Sequence, residues 1–246
     1  PRRYCIVEIS APLRARQQAR IAQLPALAAR VEWLDGPSAA TWQGVALANE
    51  VLDAMPVDCF RAGRNGCEAI GVVAAGEGFA WQLRPADAAL ANAVTSLVAS
   101  LPEPLPDGYV SELRPMLPAW IESATATLGK GALLLIDYGL PRSQYYHASR
   151  DGGSLCAFYR HRRVDDVFAR VGLQDLTAWV DFSAVADAAA AAGLEVAGFA
   201  TQAHFLASLG IDRELAAALE GANTREGLAL SQGASMLLLP GEMGER

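Results

Sequence analysis

The chain has 246 residues, 52% of them hydrophobic and 19% charged, so a substantial core is within reach and wholesale disorder is excluded. Its formal net charge of −7 argues against broad nucleic-acid binding, which relies on a basic face to displace counterions. The four cysteines (Cys5, Cys59, Cys67, Cys156) lack metal-knuckle spacing and point to reduced thiols, and no stretch is long and apolar enough to span a membrane.

The chain opens PRRYCIVE, with no initiator methionine or signal pattern, and an upstream part is expected to precede it. Residues 4–7 read as a strand ending in Glu8. Residues 11–29 read as a helix with Ser10 as N-cap and Pro12 in its first turn. Residues 31–34 form a second strand, followed by the turn Asp35-Gly36-Pro37.

The central stretch is GVALANEVLDAMPVDCF, residues 44–60. Residues 45–48 suit a strand buried on both faces, and Asn49 and Glu50 follow at its end. Residues 51–55 can make one helical turn before Pro56, which puts Glu50 and Asp53, three apart, on one side. Ligands of open parallel α/β sheets bind outside the carboxyl ends of the strands, so an amide and two acids stand where a ligand sits. The alternative is that Asn49 caps the turn and both acids are solvated.

Residues 60–83 change style. Turns at Arg64-Asn65-Gly66 and Gly76-Glu77-Gly78 bracket an antiparallel hairpin or meander inserted after the core strand. A helix over 86–100, a proline-rich loop over 101–108, a short strand over 109–113 and a helix over 115–128 follow. Residues 131–138, GALLLIDY, are the strongest strand, expected to be covered on both faces and ending in Asp137-Tyr138-Gly139. Residues 140–172 show no period but hold Tyr145, Tyr146, His147, Tyr159 and the run Arg160-His161-Arg162-Arg163, which reads as an ordered loop or lid. The basic run either clamps an anion or pairs with Asp165 and Asp166. An alanine-rich helix over 183–192 has Ser183 as expected N-cap and Gly193 as C-cap. A strand over 194–200, helices over 202–209 and 213–219, and a last strand over 235–239 complete the reading.

Glu8, Glu50 and Asp137 each end a candidate strand of a parallel sheet wrapped by helices, an α/β architecture. A carboxylate at such an edge can accept both hydroxyls of a ribose, and Asp35 can meet a purine edge. No glycine-rich phosphate loop, nucleophile elbow or zinc pattern is present, so no metal is expected.

The stretches YCIVEISAPLRARQ, ANEVLDAMPVDCF, LLLIDYG, YYHASRDGGSLCAFYRHRRVDD, GLQDLTAWVDF and TQAHFLASLGI, in that order, resemble the MidA-like S-adenosylmethionine-dependent methyltransferases, whose mitochondrial members assist assembly of respiratory complex I. The resemblance runs from about Tyr4 to Ile211. It implies one Rossmann-like class I methyltransferase domain over residues 1–246, with insertions near 60–108 and 140–175 and an N-terminal donor loop that should precede residue 1. It implies S-adenosyl-L-methionine as cofactor, with Glu8 at the ribose, Asp35 near the adenine, and Asn49 and Glu50 bordering the sulfonium. It implies methylation of a protein arginine, held by Glu50 and Asp53, with Glu112 a weaker candidate. Asp137, Tyr138, His161, Asp175 and Asp181 complete the substrate-side candidates, although Asp175 and Asp181 can equally cap turns. Trp179 stands where family members usually show histidine. The acceptor implied is an arginine-bearing protein, with a complex I subunit one candidate, a homodimer one assembly, and the bacterial cytoplasm the location. The rival readings are an assembly protein that keeps the fold without transfer, and a small-molecule methyltransferase.

Overall fold

The computed structural model describes residues 2–241 and 243–245. It begins with a β–α–β unit: β1 (Tyr4–Val7), α1 (Ala11–Ile21), α2 (Pro25–Ala28) and β2 (Val31–Leu34), with β2 parallel to β1. Ser10 caps α1 by accepting the Leu13 N–H. The one helix expected over 11–29 is two, because Pro25 opens α2 and has no N–H to continue α1.

β3 (Trp42–Asn49) leads out of the parallel layer into an antiparallel sheet. Its strands are β4 (Asp58–Gly63), β5 (Gly66–Ala75), β6 (Gly78–Pro85) and, after α3 (Ala88–Ser100), β7 (Val110–Leu113), in the order β6-β5-β4-β7. Leu90, Val94 and Leu97 recur at helical spacing on α3 and pack with Phe60, Ala69 and Tyr109 into a first core. The expected hairpin is thus the middle of a four-stranded sheet.

α4 (Leu117–Thr125) returns the chain to β8 (Leu128–Ile136), which runs parallel to β3 up to Asn49↔Ile136. The next segment, expected to be irregular, is built from short pieces. They are β9 (Gly139–Leu140), α5 (Arg142–Tyr145), the hairpin β10 (Cys156–Tyr159) and β11 (Arg162–Val164), β12 (Asp175–Thr177) against β10, and β13 (Val180–Asp181) parallel to β9. Strands this short carry no readable period. α6 (Phe182–Ala191) packs on α4, and Leu52, Leu117, Ile121, Val180, Val185 and Ala188 form a second core.

Asp181, not Ser183, caps α6, accepting the N–H groups of Ser183 and Ala184. Ser183 Oγ is turned instead to the Arg142 N–H. Gly193 ends the helix as expected: its φ is +79°, and its N–H and that of Leu194 reach back to Ala190 and Ala189.

Four further expectations are corrected. Residues 194–200 join no ladder among the described residues. Residues 235–239 are not a strand but the end of a helical tail, α7 (Gln202–Ser208), α8 (Ile211–Glu220) and α9 (Thr224–Leu238). Asn223 and Glu226 start α9 with a reciprocal capping box, and the apolar run at its end follows the helix. The parallel strands also form separate pairs, β1–β2 and β3–β8, with no ladder between them among the described residues. Leu135 on one face of β8 packs into the second core, whereas Val45 and Leu47, expected to be buried, lie on the opposite face and are 67% and 59% exposed.

Within the β3–β8 pair, Gly44 opposes Gly131 so closely that a Cβ on Gly131 would stand 1.8 Å from the Gly44 carbonyl oxygen. Gly131→Ala should therefore lower stability by more than about 3 kcal/mol in urea unfolding, since backbone has to move. A loss near that of an ordinary strand Gly→Ala change would mean the two strands stand further apart.

Candidate functional site

Because β3 and β8 are parallel and in register to their ends, Asn49-Glu50 and Ile136-Asp137 finish side by side. The Glu50 N–H donates to the Ile136 carbonyl at 2.9 Å, one step beyond the strand. Glu50 has a φ of +50°, a left-handed conformation that costs a non-glycine residue about 1–3 kcal/mol and clusters at functional sites. Residues 51–55 then form a turn, not the expected helical turn. Its amides are taken by Asp137 and not by Asn49: Asp137 Oδ2 accepts from Leu52 at 2.9 Å and from Asp53 at 3.2 Å, and Oδ1 accepts from Tyr138 at 2.9 Å.

This clamp carries Asp53 inward to 7% exposure. Among the described residues its Oδ1 is buried without a hydrogen-bond partner. Burial, then the charges of Asp137 and Glu50, raise the Asp53 carboxyl from 3.8 to about 6. Burial raises Asp137 as well, against the pull of its three amide donors. Arg114 offsets both acids electrostatically. Its Nη2 and Nη1 donate to the Ala178 and Trp179 carbonyls at 2.8 and 3.2 Å, while the Ala178 N–H donates to the Asp53 carbonyl at 3.0 Å. Arg114 sits in no motif and was not singled out in the sequence; only the fold reveals it.

Glu8 and Asp35 follow the other parallel pair and are both tied to α1. Glu8 accepts from the Ser10 N–H at 2.8 Å and from Gln17 Nε2 at 3.0 Å, and Gln17 Oε1 accepts from Trp33 Nε1 at 3.0 Å. Asp35 is exposed and pairs with Arg14 at 2.5 Å.

Asn49, Glu50, Asp53, Asp137 and Tyr138 thus meet at the β3–β8 edge. Glu112 and Asp181 line a different space, a cavity of about 420 Å³ where the two cores meet, between α3 on one side and α4 and α6 on the other. Glu112 is 3% exposed, and its Oε1 accepts from the Tyr145 hydroxyl, from Ser154 Oγ at 2.6 Å and from the Ser154 N–H at 3.0 Å. Burial, then the Glu112 charge, hold the Tyr145 phenol far above its ordinary value, so it stays a donor. Asp181 both caps α6 and pairs with Arg142 Nε at 3.1 Å. His161 and Asp175 are exposed on the β10–β11–β12 sheet. Among the described residues no group of three or more His, Cys, Asp or Glu is arranged to hold a metal, and no helix is long and apolar enough to cross a membrane.

Paired parallel strands with helical crossovers and acids at their carboxyl ends define a class of fold that seats nucleotide-type ligands along that edge. Residues 1–200 match the family described as "putative S-adenosyl-L-methionine-dependent methyltransferase", and the chain belongs to that family. A COG1565 superfamily member from Burkholderia thailandensis, solved bound to S-adenosyl-homocysteine, is 38% identical with a TM-score of 0.87, over 99% of this chain and 62% of that one. A second solved structure of a COG1565 superfamily protein from Burkholderia thailandensis gives 38% and 0.88, over 99% of this chain and 64% of its own. The chain therefore spans less than two thirds of the length of these structural relatives. No curated protein matches it.

The raised Asp53 carboxyl has a consequence for stability. Between about pH 4 and about pH 6 the folded chain keeps a proton that the unfolded chain has released, so stability falls as pH rises through this window. Asp53→Asn should leave urea stability unchanged near pH 4 and raise it by about 1–3 kcal/mol near pH 8. An equal change at both pH values would show that Asp53 does not titrate in this window.

Proposed function

We propose that this protein is an S-adenosylmethionine-dependent methyltransferase that modifies an arginine side chain of a protein. The observation that carries the reading is the convergence of Glu50, Asp53 and Asp137 at the carboxyl ends of β3 and β8, with a buried Asp53 oxygen lacking a partner among the described residues. Family membership and the S-adenosyl-homocysteine bound to the Burkholderia thailandensis relative support the donor.

The residues present fit that donor. Each Glu8 oxygen accepts one hydrogen bond, which leaves lone pairs for ribose hydroxyls. Asp35 serves the adenine side, and Asn49 and Glu50 border the sulfonium. When bound, the donor supplies an electrophilic methyl group. This chain's own part is to orient and discharge the acceptor. Glu50 and Asp53 grip the planar guanidinium, and this fixes the nitrogen's line of approach. A guanidinium nitrogen that gains a methyl must lose a proton, and Asp53 Oδ1 accepts it; a carboxyl near 6 suits a base at neutral pH. Asp137 and Tyr138 shape the same edge. Glu112 and Asp181, lining the cavity behind it, and the exposed His161 and Asp175 serve the substrate side at a distance from the transfer.

A complex I subunit is the acceptor to try first, the homodimer is the assembly to test, and we assign the protein to a bacterial cytoplasm, a setting that four free cysteines suit. In the protein as its gene encodes it, Glu50→Gln and Asp53→Asn should each lower methyl incorporation by about 10²-fold or more, with calorimetric donor binding near wild type for Asp53→Asn and weaker for Glu50→Gln, which borders the sulfonium. Transfer by both variants near the wild-type rate would remove these two roles. Donor binding without transfer to any arginine-bearing protein would favour the assembly role, and methylation of a small molecule would replace the protein acceptor.

A further inference from the structure

The β10–β11 hairpin turns through Arg160 and His161, with Tyr159 paired to Arg162 across it. Both turn residues have positive φ, 50° and 61°. A two-residue turn of this hand favours Asn-Gly, so an Arg-His pair there trades stability for what the side chains present. Behind the tip, the guanidinium carbons of Arg170 and Arg160 stand 4.6 and 5.3 Å from the Tyr159 ring centre. Arg160, Arg162, Arg163 and Arg170 are all exposed, and none forms an ion pair among the described residues. The pairing expected with Asp165 and Asp166 does not form; Asp166 instead accepts the Phe168 N–H at 2.8 Å. In a chain of net charge −7, four guanidiniums without an ion pair between residues 160 and 170 stand out.

The segment that carries Arg170 also reaches an apolar patch. Phe168, two residues from Arg170, packs its ring against Trp81 at 4.9 Å and Phe79 at 6.2 Å, both on the edge strand β6. Trp81 and Phe79 remain 46% and 48% exposed, and Val72, directly opposite Trp81, is 49% exposed. Arginine, tryptophan and other aromatics are the residue types that carry the energy of protein interfaces.

We propose that this joint face, from the Arg160-His161 tip across Tyr159 and Phe168 to Trp81, docks an acidic, leucine-bearing segment of a partner protein. The unpaired guanidiniums call for carboxylates, and the exposed rings call for apolar side chains between them. A single-stranded nucleic acid would stack its bases on the same rings, but the acidic remainder of the chain would repel its phosphates.

The probe is a fluorescent peptide that alternates glutamates with leucines, titrated by anisotropy against the protein as its gene encodes it. It should bind with an affinity that falls as salt rises. Serine in place of leucine should weaken it about tenfold, as should the Arg160→Glu/Arg170→Glu double variant and, separately, Trp81→Ser. The arginine changes are at exposed positions, and far-ultraviolet circular dichroism checks that each variant keeps its fold. No binding, binding indifferent to the arginine pair, equal binding of the serine peptide, or tighter binding of a single-stranded oligonucleotide would each overturn the proposal. So would self-association in sedimentation that the double variant abolishes, since a second copy would then own the face.

Discussion

The Asp137 carboxylate is the interaction on which the candidate site depends. It ends one parallel strand and accepts the first two amides of the turn that leaves the neighbouring strand. Three backbone donors oppose the cost of burying this carboxyl, and leaving those donors unmet would cost about 1–3 kcal/mol each. The clamp bends the turn toward the core instead of letting it wind into a helix. That bend is what buries Asp53 beside a second carboxylate and gives it an unusual affinity for a proton. Asp137 therefore acts on the site through geometry and charge together.

A second layer locks this edge to the inserted sheet. Glu112 on β7 gathers the Tyr145 and Ser154 hydroxyls, and Ser154 Oγ in turn accepts the Trp179 N–H at 2.8 Å. Gly153 permits the approach: a Cβ there would lie 2.1 Å from Glu112 Oε2, and its φ is +73°. Arg114, two residues along from Glu112, holds the 178–179 carbonyls whose neighbouring amide bonds to Asp53. A short run of hydrogen bonds thus links the segment over 145–154 to the acids. Phe168, between β11 and β12, rests on Trp81 of β6.

Much of this was legible in the sequence where local chemistry decides. Ser10 as a cap, Gly193 as a helix stop, the strand at 4–7 and its partner at 31–34, and the acids at strand ends all follow from one residue type in one local setting. The site's pairing of Glu50 with Asp53 was read correctly as proximity but for the wrong reason, since a distant carboxylate and not a helical turn brings it about. What stayed hidden is non-local. Arg114 and the Glu112 cluster join residues 25 to 65 positions apart, and nothing in their immediate neighbours signals it. The apolar run at 235–239 can be read as strand or helix end, and the capping box that starts its helix lies nine to twelve residues upstream. Burial of residues 45–48 was inferred from their apolarity alone, which does not say whether a layer lies over each face.

The central claim is that acids at the ends of the parallel strands seat a cationic donor beside a cationic acceptor. A crystal structure of this protein soaked with S-adenosyl-homocysteine tests it most directly. The account predicts the ribose hydroxyls against Glu8 and the sulfur facing Asn49 and Glu50, within reach of Asp53. Density for the ligand in the cavity between α3 and α4, with the strand ends untouched, would contradict it.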